Sequence, residues 1–350
     1  MRYVVDIPPE VAEEINKAVK AGLYKSPQDF LVAAAQNQIY LETVEVHGDS
    51  PKSQQTVTVV NPQRRPSDDK LYGSIAVYLN PMKLLSLPGT DKISTVSLSK
   101  AERPQRLFGL VNRLFPVKPV VRVLSNLLAD TGAQYVPLDE LQDKSAEVAR
   151  ELGKVVQKKD KTMHRKRGSI LYSGLPVGIE EKSSPRFKFQ FVGYVGKNRL
   201  EGAAPTLKFV DIVQGGKSAP QIGLTDFGLR FCSIQNPIID RQDYSSPFSE
   251  EEIAFLLDHI ASQLPTEAEL IRLVLKSLDE GHATPDDINV KLKGFRPKWT
   301  EKQVTGERVG LIGRMNELGL LEREKDGVKV TYVLSRRGED YLAKLGGMGA

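Results

Sequence analysis

An eight-residue step occurs twice in this chain and limits what it can fold into. Leu224-Thr225-Asp226-Phe227-Gly228-Leu229-Arg230-Phe231 and Leu334-Ser335-Arg336-Arg337-Gly338-Glu339-Asp340-Tyr341 share one plan. An apolar run ends in leucine, a hydroxyl residue follows, and a glycine and an aromatic come three and six residues after the hydroxyl. Threonine and serine at such a place cap a helix, because the side-chain oxygen accepts from a backbone N–H that has no partner inside the helix. Each copy therefore predicts a strand that runs directly into a helix, and two copies predict two units of one design.

The residues before the second copy predict the rest of its unit. Ser249-Glu250-Glu251-Glu252 is a capping box that opens a helix through Ile253, Leu256, Leu257 and Ile260. Pro265 opens a helix through Leu270, Ile271, Val274 and Leu278, ended by Gly281. Thr284-Pro285-Asp286-Asp287 caps a short helix to about Leu292, and a longer one spans roughly residues 300–318. Strands at 320–324 and 328–334 flank Asp326-Gly327, a hairpin turn. Before the first copy, Leu107, Leu110, Val111 and Leu114 recur at helical spacing. Pro119 opens a helix through Val120, Val123, Leu124, Leu127 and Leu128, stopped at Thr131-Gly132. A third helix runs from Leu138 through Leu141, Ala146, Ala149 and Val156. Strands are predicted at 187–195, 207–213 and 222–224. Three helices followed by strands is the order of a winged-helix domain. Arg314-Met315-Asn316-Glu317-Leu318-Gly319-Leu320-Leu321 through Tyr341 resembles winged-helix transcription regulators. The resemblance covers residues 251–345, and more loosely 104–237.

A different pattern stands at the N-terminus. Arg2-Tyr3-Val4-Val5-Asp6-Ile7 predicts a short strand. Pro8-Pro9-Glu10 opens an amphipathic helix through Val11, Ile15, Ala18 and Val19, closed by Gly22. Ser26 caps a second helix, with Pro27 in its first turn and Phe30, Leu31, Ala34 and Ile39 inward. One strand and two short helices bury too little apolar surface to stand alone. This order resembles the ribbon-helix-helix family. The resemblance implies a homodimer in which two strands pair, with Tyr3, Val5 and Ile7 inside and Arg2, Val4 and Asp6 facing a DNA major groove. Arg2 suits a guanine edge or a phosphate, Val4 a thymine methyl, and Lys25 and Ser26 join them at the start of the second helix.

The expected fold class is thus α+β: a ribbon-helix-helix unit (1–41), a linker with short strands (42–103), a winged-helix-like domain with insertions (104–240) and a winged helix-turn-helix domain (249–345). The linker is rich in Ser, Pro, Gln and Asp, with apolar runs at 57–60 and 71–79. A chain of 350 residues has room for these parts. Its net charge of +5 favours a polyanion, and only locally, because the excess is small. The single cysteine, Cys232, excludes an internal disulfide framework and a cysteine-rich zinc site. With no apolar leader and no span-length stretch, a cytoplasmic location and no membrane partner are expected.

The contact residues follow from the charge pattern. Lys154, Lys158, Lys159, Lys161, Arg165, Lys166 and Arg167 crowd one stretch, opposed by Asp160, at the end of a helix where they can follow a phosphate backbone. On the helix at 300–318, Val304, Val309, Ile312, Met315 and Leu318 form an inner stripe. Lys302, Gln303, Thr305, Arg308 and Arg314 are the polar positions for bases or phosphates, with Lys325 and Lys329 near the wing turn. Trp299 is assigned to packing or a domain seam.

Catalytic signatures are weak. Gly215-Gly216-Lys217-Ser218 resembles the end of a phosphate-binding loop, but Asp211 stands where the spacing needs glycine, so a hairpin turn is expected. The four histidines share no metal-ligand spacing, and His259 is expected to end a surface turn. Cys232 is read as a buried inert thiol. No cofactor, metal or catalytic residue is assigned. The sequence therefore predicts a non-enzymatic, sequence-specific binder of double-stranded DNA, a dimeric transcriptional regulator. The alternatives are a partition or replication protein of a plasmid or mobile element, and a non-catalytic adaptor whose winged helices contact proteins.

Overall fold

The computed structural model describes residues 104–196, 199–213 and 220–347, with pieces at 78–79 and 93–99 and scattered residues between 12 and 28. The chain divides into two compact units, residues 1–65 and 66–350. In the first unit Ala12, Glu13, Ile15, Asn16 and Val19 are helical, and Pro27 and Gln28 are helical after a bend at Ser26. These are positions expected for the two N-terminal helices, and Ile15 is buried. The expected strand, with Arg2 and Val4, lies outside the described residues, as does Lys25.

The second unit mixes helices with small antiparallel sheets. Its first half comprises α1 (Val117–Thr131), β1 (Val136–Pro137), α2 (Leu138–Thr162), α3 (Glu180–Phe187) running on as a π turn (Lys188–Val192), β2 (Tyr194–Gly196), β3 (Arg199–Glu201), α4 (Ala203–Thr206), β4 (Val210–Val213), β5 (Gln221–Leu224) and α5 (Asp226–Ser233). Two connecting helices follow, α6 (Pro237–Arg241) and α7 (Glu250–Gln263). The second half holds α8 (Pro265–Asp279), α9 (Pro285–Phe295), α10 (Glu301–Glu317), β6 (Leu321–Asp326), β7 (Lys329–Leu334) and α11 (Arg336–Gly347). Local chemistry sets the helix starts. Ser249 and Glu252, Thr284 and Asp287, and Thr300 and Gln303 each form a reciprocal capping box.

The two halves repeat one joint bond for bond. Thr225 Oγ1 accepts from Gly228 N at 3.1 Å and donates to Lys208 O at 2.6 Å. Ser335 Oγ accepts from Gly338 N at 3.0 Å and donates to Gly319 O at 2.6 Å. Lys208 and Gly319 both sit in the left-handed region, at φ 57° and 69°. The backbone N–H groups of Thr225 and Ser335 donate to Phe209 O and Leu320 O. A Cβ on Gly228 or Gly338 would collide with those same two carbonyl oxygens. The repetition reaches back to the first helices. Helices α1 and α8 have 15 residues each. Val136 of β1 pairs with Ile222 of β5, giving the order β1-β5-β4, and Ala283 O accepts from Tyr332 N at the matching place in the second half.

Three expected elements differ. Residues 107–114 form no helix; they run as turns and extended chain. Residues 187–192 are helical, and strand begins only at Tyr194. In the apolar run 71–79, Tyr78 and Leu79 are helical. Gly215 to Ser218 fall outside the described residues, between β4 and β5, which pair antiparallel.

The joint glycines yield a test by urea unfolding. Gly338→Ala is expected to lower stability by about 1–3 kcal/mol, because the added methyl meets fixed backbone. Gly294→Ala, on α9 where a Cβ meets nothing, is expected to be neutral or to stabilise by up to about 1 kcal/mol.

Candidate nucleic-acid interface

Helix α10 is the expected groove helix, and most of its outward face is occupied by the chain itself. Val304, Leu311, Met315 and Leu318 are buried on its inner face. At 100° per residue, Gly306, Gly310 and Gly313 fall on the opposite face. Residues 107–115 lie directly on that glycine face. A Cβ on Gly109 would stand 2.5 Å from Gly306 O, and one on Gly313 would stand 2.5 Å from Asn112 O. A Cβ on Gly310 would collide with Gly109 O, so Gly310 and Gly313 admit the segment only because they lack side chains, while a Cβ on Gly306 would meet nothing.

Buried charges fasten this segment. Glu267 of α8 accepts from Leu107 N at 3.0 Å and from Arg314 Nε and Nη2 at 2.9 and 2.7 Å. Arg314 also donates to Phe108 O and Val111 O. Glu317 accepts from Leu114 N and Phe115 N. Arg106 pairs with Glu307 at 2.6 Å and lies 4.9 Å from the Trp299 ring, so Trp299 sits at a seam.

Two expected contact residues are corrected by this geometry. Arg314 is 2 % exposed and spends its guanidinium on Glu267 and two carbonyls. Arg308 is 8 % exposed and donates to Asn289 Oδ1 and Tyr332 Oη, tying α9 and β7 to α10. Neither reaches solvent as a base reader. Lys302, Gln303 and Thr305 are exposed in the first turns of α10, with Gln303 Oε1 accepting from Thr300 N. Lys325 and Lys329 are exposed on the β6–β7 hairpin, and Val328 at its turn is 98 % exposed.

The basic run is partly structural. Lys154, Lys158, Lys159 and Lys161 are exposed on the last turns of α2, and Lys166 is exposed beyond it. Lys154 pairs with Glu151 at 2.5 Å, and Lys159 lies 5.6 Å from the Tyr244 ring. Asp160 is buried, accepts from Leu171 N and Tyr172 N, and pairs with Arg165 at 3.2 Å. Arg165 also donates to Tyr244 O, so it anchors a turn and is corrected as a free phosphate contact. The Arg167 side chain lies outside the described residues. By the repeat, α2 follows β1 as α9 follows Ala283. The run therefore ends the counterpart of α9.

His259 is buried, not at a surface turn as expected. It lines an open cleft of about 490 Å³ with Phe227, Arg230 and Phe255. Its Nε2 lies 2.6 Å from Leu207 O, an acceptor, so Nε2 carries the proton. Burial pushes its pKa down to about 4, which keeps the ring neutral. Cys232 is buried with its Sγ 3.1 Å from Ser125 Oγ. Among the described residues no three His, Cys, Asp or Glu side chains could hold a metal ion, and no helix is long and apolar enough to cross a membrane. The chain matches no protein-family model, no curated protein and no solved structure at a stringent threshold.

Two stability measurements follow. Arg314→Ala is expected to cost about 3–5 kcal/mol, since it strands Glu267 as a buried, unpaired charge. The loss should appear as unfolding without DNA present. His259 binds its proton more weakly when folded than when unfolded. Its contribution is complete above pH 6.5 and is lost as pH falls toward 4. At about 1.4 kcal/mol per pH unit, the loss approaches ~3 kcal/mol. The stability difference between native chain and His259→Gln should shrink by that amount on acidification.

Proposed function

We propose that this chain is a non-enzymatic protein that binds double-stranded DNA, acting as a dimeric transcriptional regulator. In this reading the N-terminal residues 1–41 form a ribbon-helix-helix dimer, and residues 104–240 and 249–345 are two winged-helix domains. The observation that carries it is the repeated joint: first helix, bridging strand, second helix, third helix, hairpin, capped fourth helix. That order suits a unit which presents a helix and a wing to a duplex. The surface charge supports it. Lys158, Lys159, Lys161 and Lys166 at the end of α2, and Lys302, Lys325 and Lys329 in the second half, are exposed. Tethering such units on one dimer raises the effective concentration of each at neighbouring sites. A partition or replication role would use the same contacts on DNA repeats.

A non-catalytic adaptor is the second reading, and one observation favours it. The glycine face of α10 already holds a peptide segment, residues 107–115, so this half uses its third helix for a protein contact.

The test is a salt series on a random-sequence duplex. Affinity is expected to fall steeply between roughly 50 and 200 mM salt. Replacing Lys158, Lys159, Lys161 and Lys166 with Gln should flatten the log–log slope by roughly 0.9 for each phosphate that is no longer neutralised. Preference among sequences should survive, since phosphate contacts carry no base information. No duplex binding by the native chain, together with a stable complex with another protein, would establish the adaptor instead.

A further inference from the structure

Helices α5 and α7 enclose an aromatic cleft of about 490 Å³, a size that holds a small molecule. Helical spacing builds both walls. Glu251, Phe255 and His259 recur every four residues along α7, and Phe227 and Arg230 stand three apart on α5. All of them line the cleft. The Phe255 ring stacks on His259 at 5.6 Å, and the Phe227 ring meets His259 edge-on at 4.9 Å. Phe227 and Phe255 are half-buried, so aromatic surface stays open to the cleft.

Three polar groups there are uncommitted among the described residues. His259 is 4 % exposed. Its Nε2 donates to Leu207 O, and burial keeps the ring neutral, so Nδ1 holds a lone pair and is an acceptor. No hydrogen bond among the described residues takes that lone pair, and the atom retains accessible surface. Its donor therefore has to come from the cleft. Arg230 and Glu251 are exposed at the rim, and neither is in an ion pair among the described residues. The other polar groups lining the cleft are spent. Asp258 pairs with Lys344 at 2.5 Å, Ser233 Oγ donates to Arg230 O, and Ser262 Oγ donates to His259 O.

The order of these groups describes a ligand. Glu251 and His259 lie eight residues apart, about 12 Å along the axis of α7. The Arg230 guanidinium lies 5.9 Å from the ring of Phe255, the residue midway between them. An anion at one end, an acceptor at the other, a cation beside the middle and aromatic walls match a zwitterion with a planar ring. We propose that this cleft binds an aromatic α-amino acid whose ring carries an N–H or O–H donor. The ring lies against Phe227 and Phe255 and donates to His259 Nδ1. The carboxylate pairs with Arg230 and the ammonium with Glu251. The site does not depend on DNA binding.

Calorimetric titration of the full chain with L-tryptophan, without DNA, tests this. Binding is expected with a Kd between roughly 10 μM and 1 mM. L-Phenylalanine carries the same charges and no ring donor, and should bind about five- to tenfold more weakly. Arg230→Gln and Glu251→Gln change exposed side chains that fasten nothing in the fold. Each should weaken tryptophan binding roughly three- to tenfold. Tryptamine has no carboxylate, so Arg230→Gln should not weaken its binding. No binding of tryptophan up to roughly 10 mM would overturn the proposal. Equal affinity for phenylalanine would overturn it too, as would full affinity in both rim variants, which would place the ligand elsewhere. A chain that binds tryptophan and no duplex would keep this site and overturn the DNA reading alone.

Discussion

Arg314 and Glu267 meet at 2.7 Å with 2 % and 0 % of their side chains exposed, and the arrangement of the second unit turns on that pair. Taking two charges out of water is costly, and their attraction offsets the cost only if their remaining donors and acceptors are used. Here they are used on one segment. Glu267 takes Leu107 N, and Arg314 donates to the carbonyls of Phe108 and Val111. Glu317 closes the same arrangement at Leu114 and Phe115. The segment satisfies the charges, and the charges satisfy the backbone of a segment with no helix of its own. Lys118 and Glu252 repeat the device at 2.8 Å between α1 and α7, both fully buried. Lys118 further donates to Phe231 O and Ile234 O, while Glu252 accepts from Asn236 and Ser249. Burial pulls the Lys118 pKa down and pushes that of Glu252 up, so each depends on the other to stay charged.

This network explains why one expectation failed. Leu107, Leu110, Val111 and Leu114 have helical spacing, yet a helix would keep its N–H groups for its own carbonyls. Carboxylates of Glu267 and Glu317, 160 and 203 residues away in sequence, offer stronger acceptors. Leu107, Val111 and Leu114 are buried without a helix, and Leu110 is left 68 % exposed. Such long-range acceptors have no local trace. The interrupted helix of the first half misled for the opposite reason. Phe187, Phe189, Phe191 and Val192 are strand formers by composition, and packing of Phe187 on Phe191 at 5.4 Å holds them helical.

What was legible was chemistry confined to a few neighbours. Hydroxyl caps at Thr225, Ser249, Thr284 and Ser335 lie where the residues placed them. The Asp326-Gly327 turn joins two paired strands, as its type requires. The candidate interface was legible in part. Exposed lysines at 158, 159, 161, 166, 302, 325 and 329 agree with their sequence pattern. Arg308 and Arg314 did not, because a helical wheel shows which residues share a face and not what covers it. One local sign was present: Gly310 and Gly313 share a face of one helix, a costly choice unless something approaches closely.

That glycine face and the β2–β3 hairpin occupy the same place in two copies of one unit, and they solve opposite problems. In the second half the helix is kept whole and bare at Gly310 and Gly313, so that a backbone can lie against it. In the first half the helix is opened between Gly193 and Gly202, so that a ribbon can leave it. The covered face is bound by buried ions whose loss would strand charges, so it is a permanent joint rather than a removable lid. A tandem built this way has one inward-turned copy and one outward-turned copy.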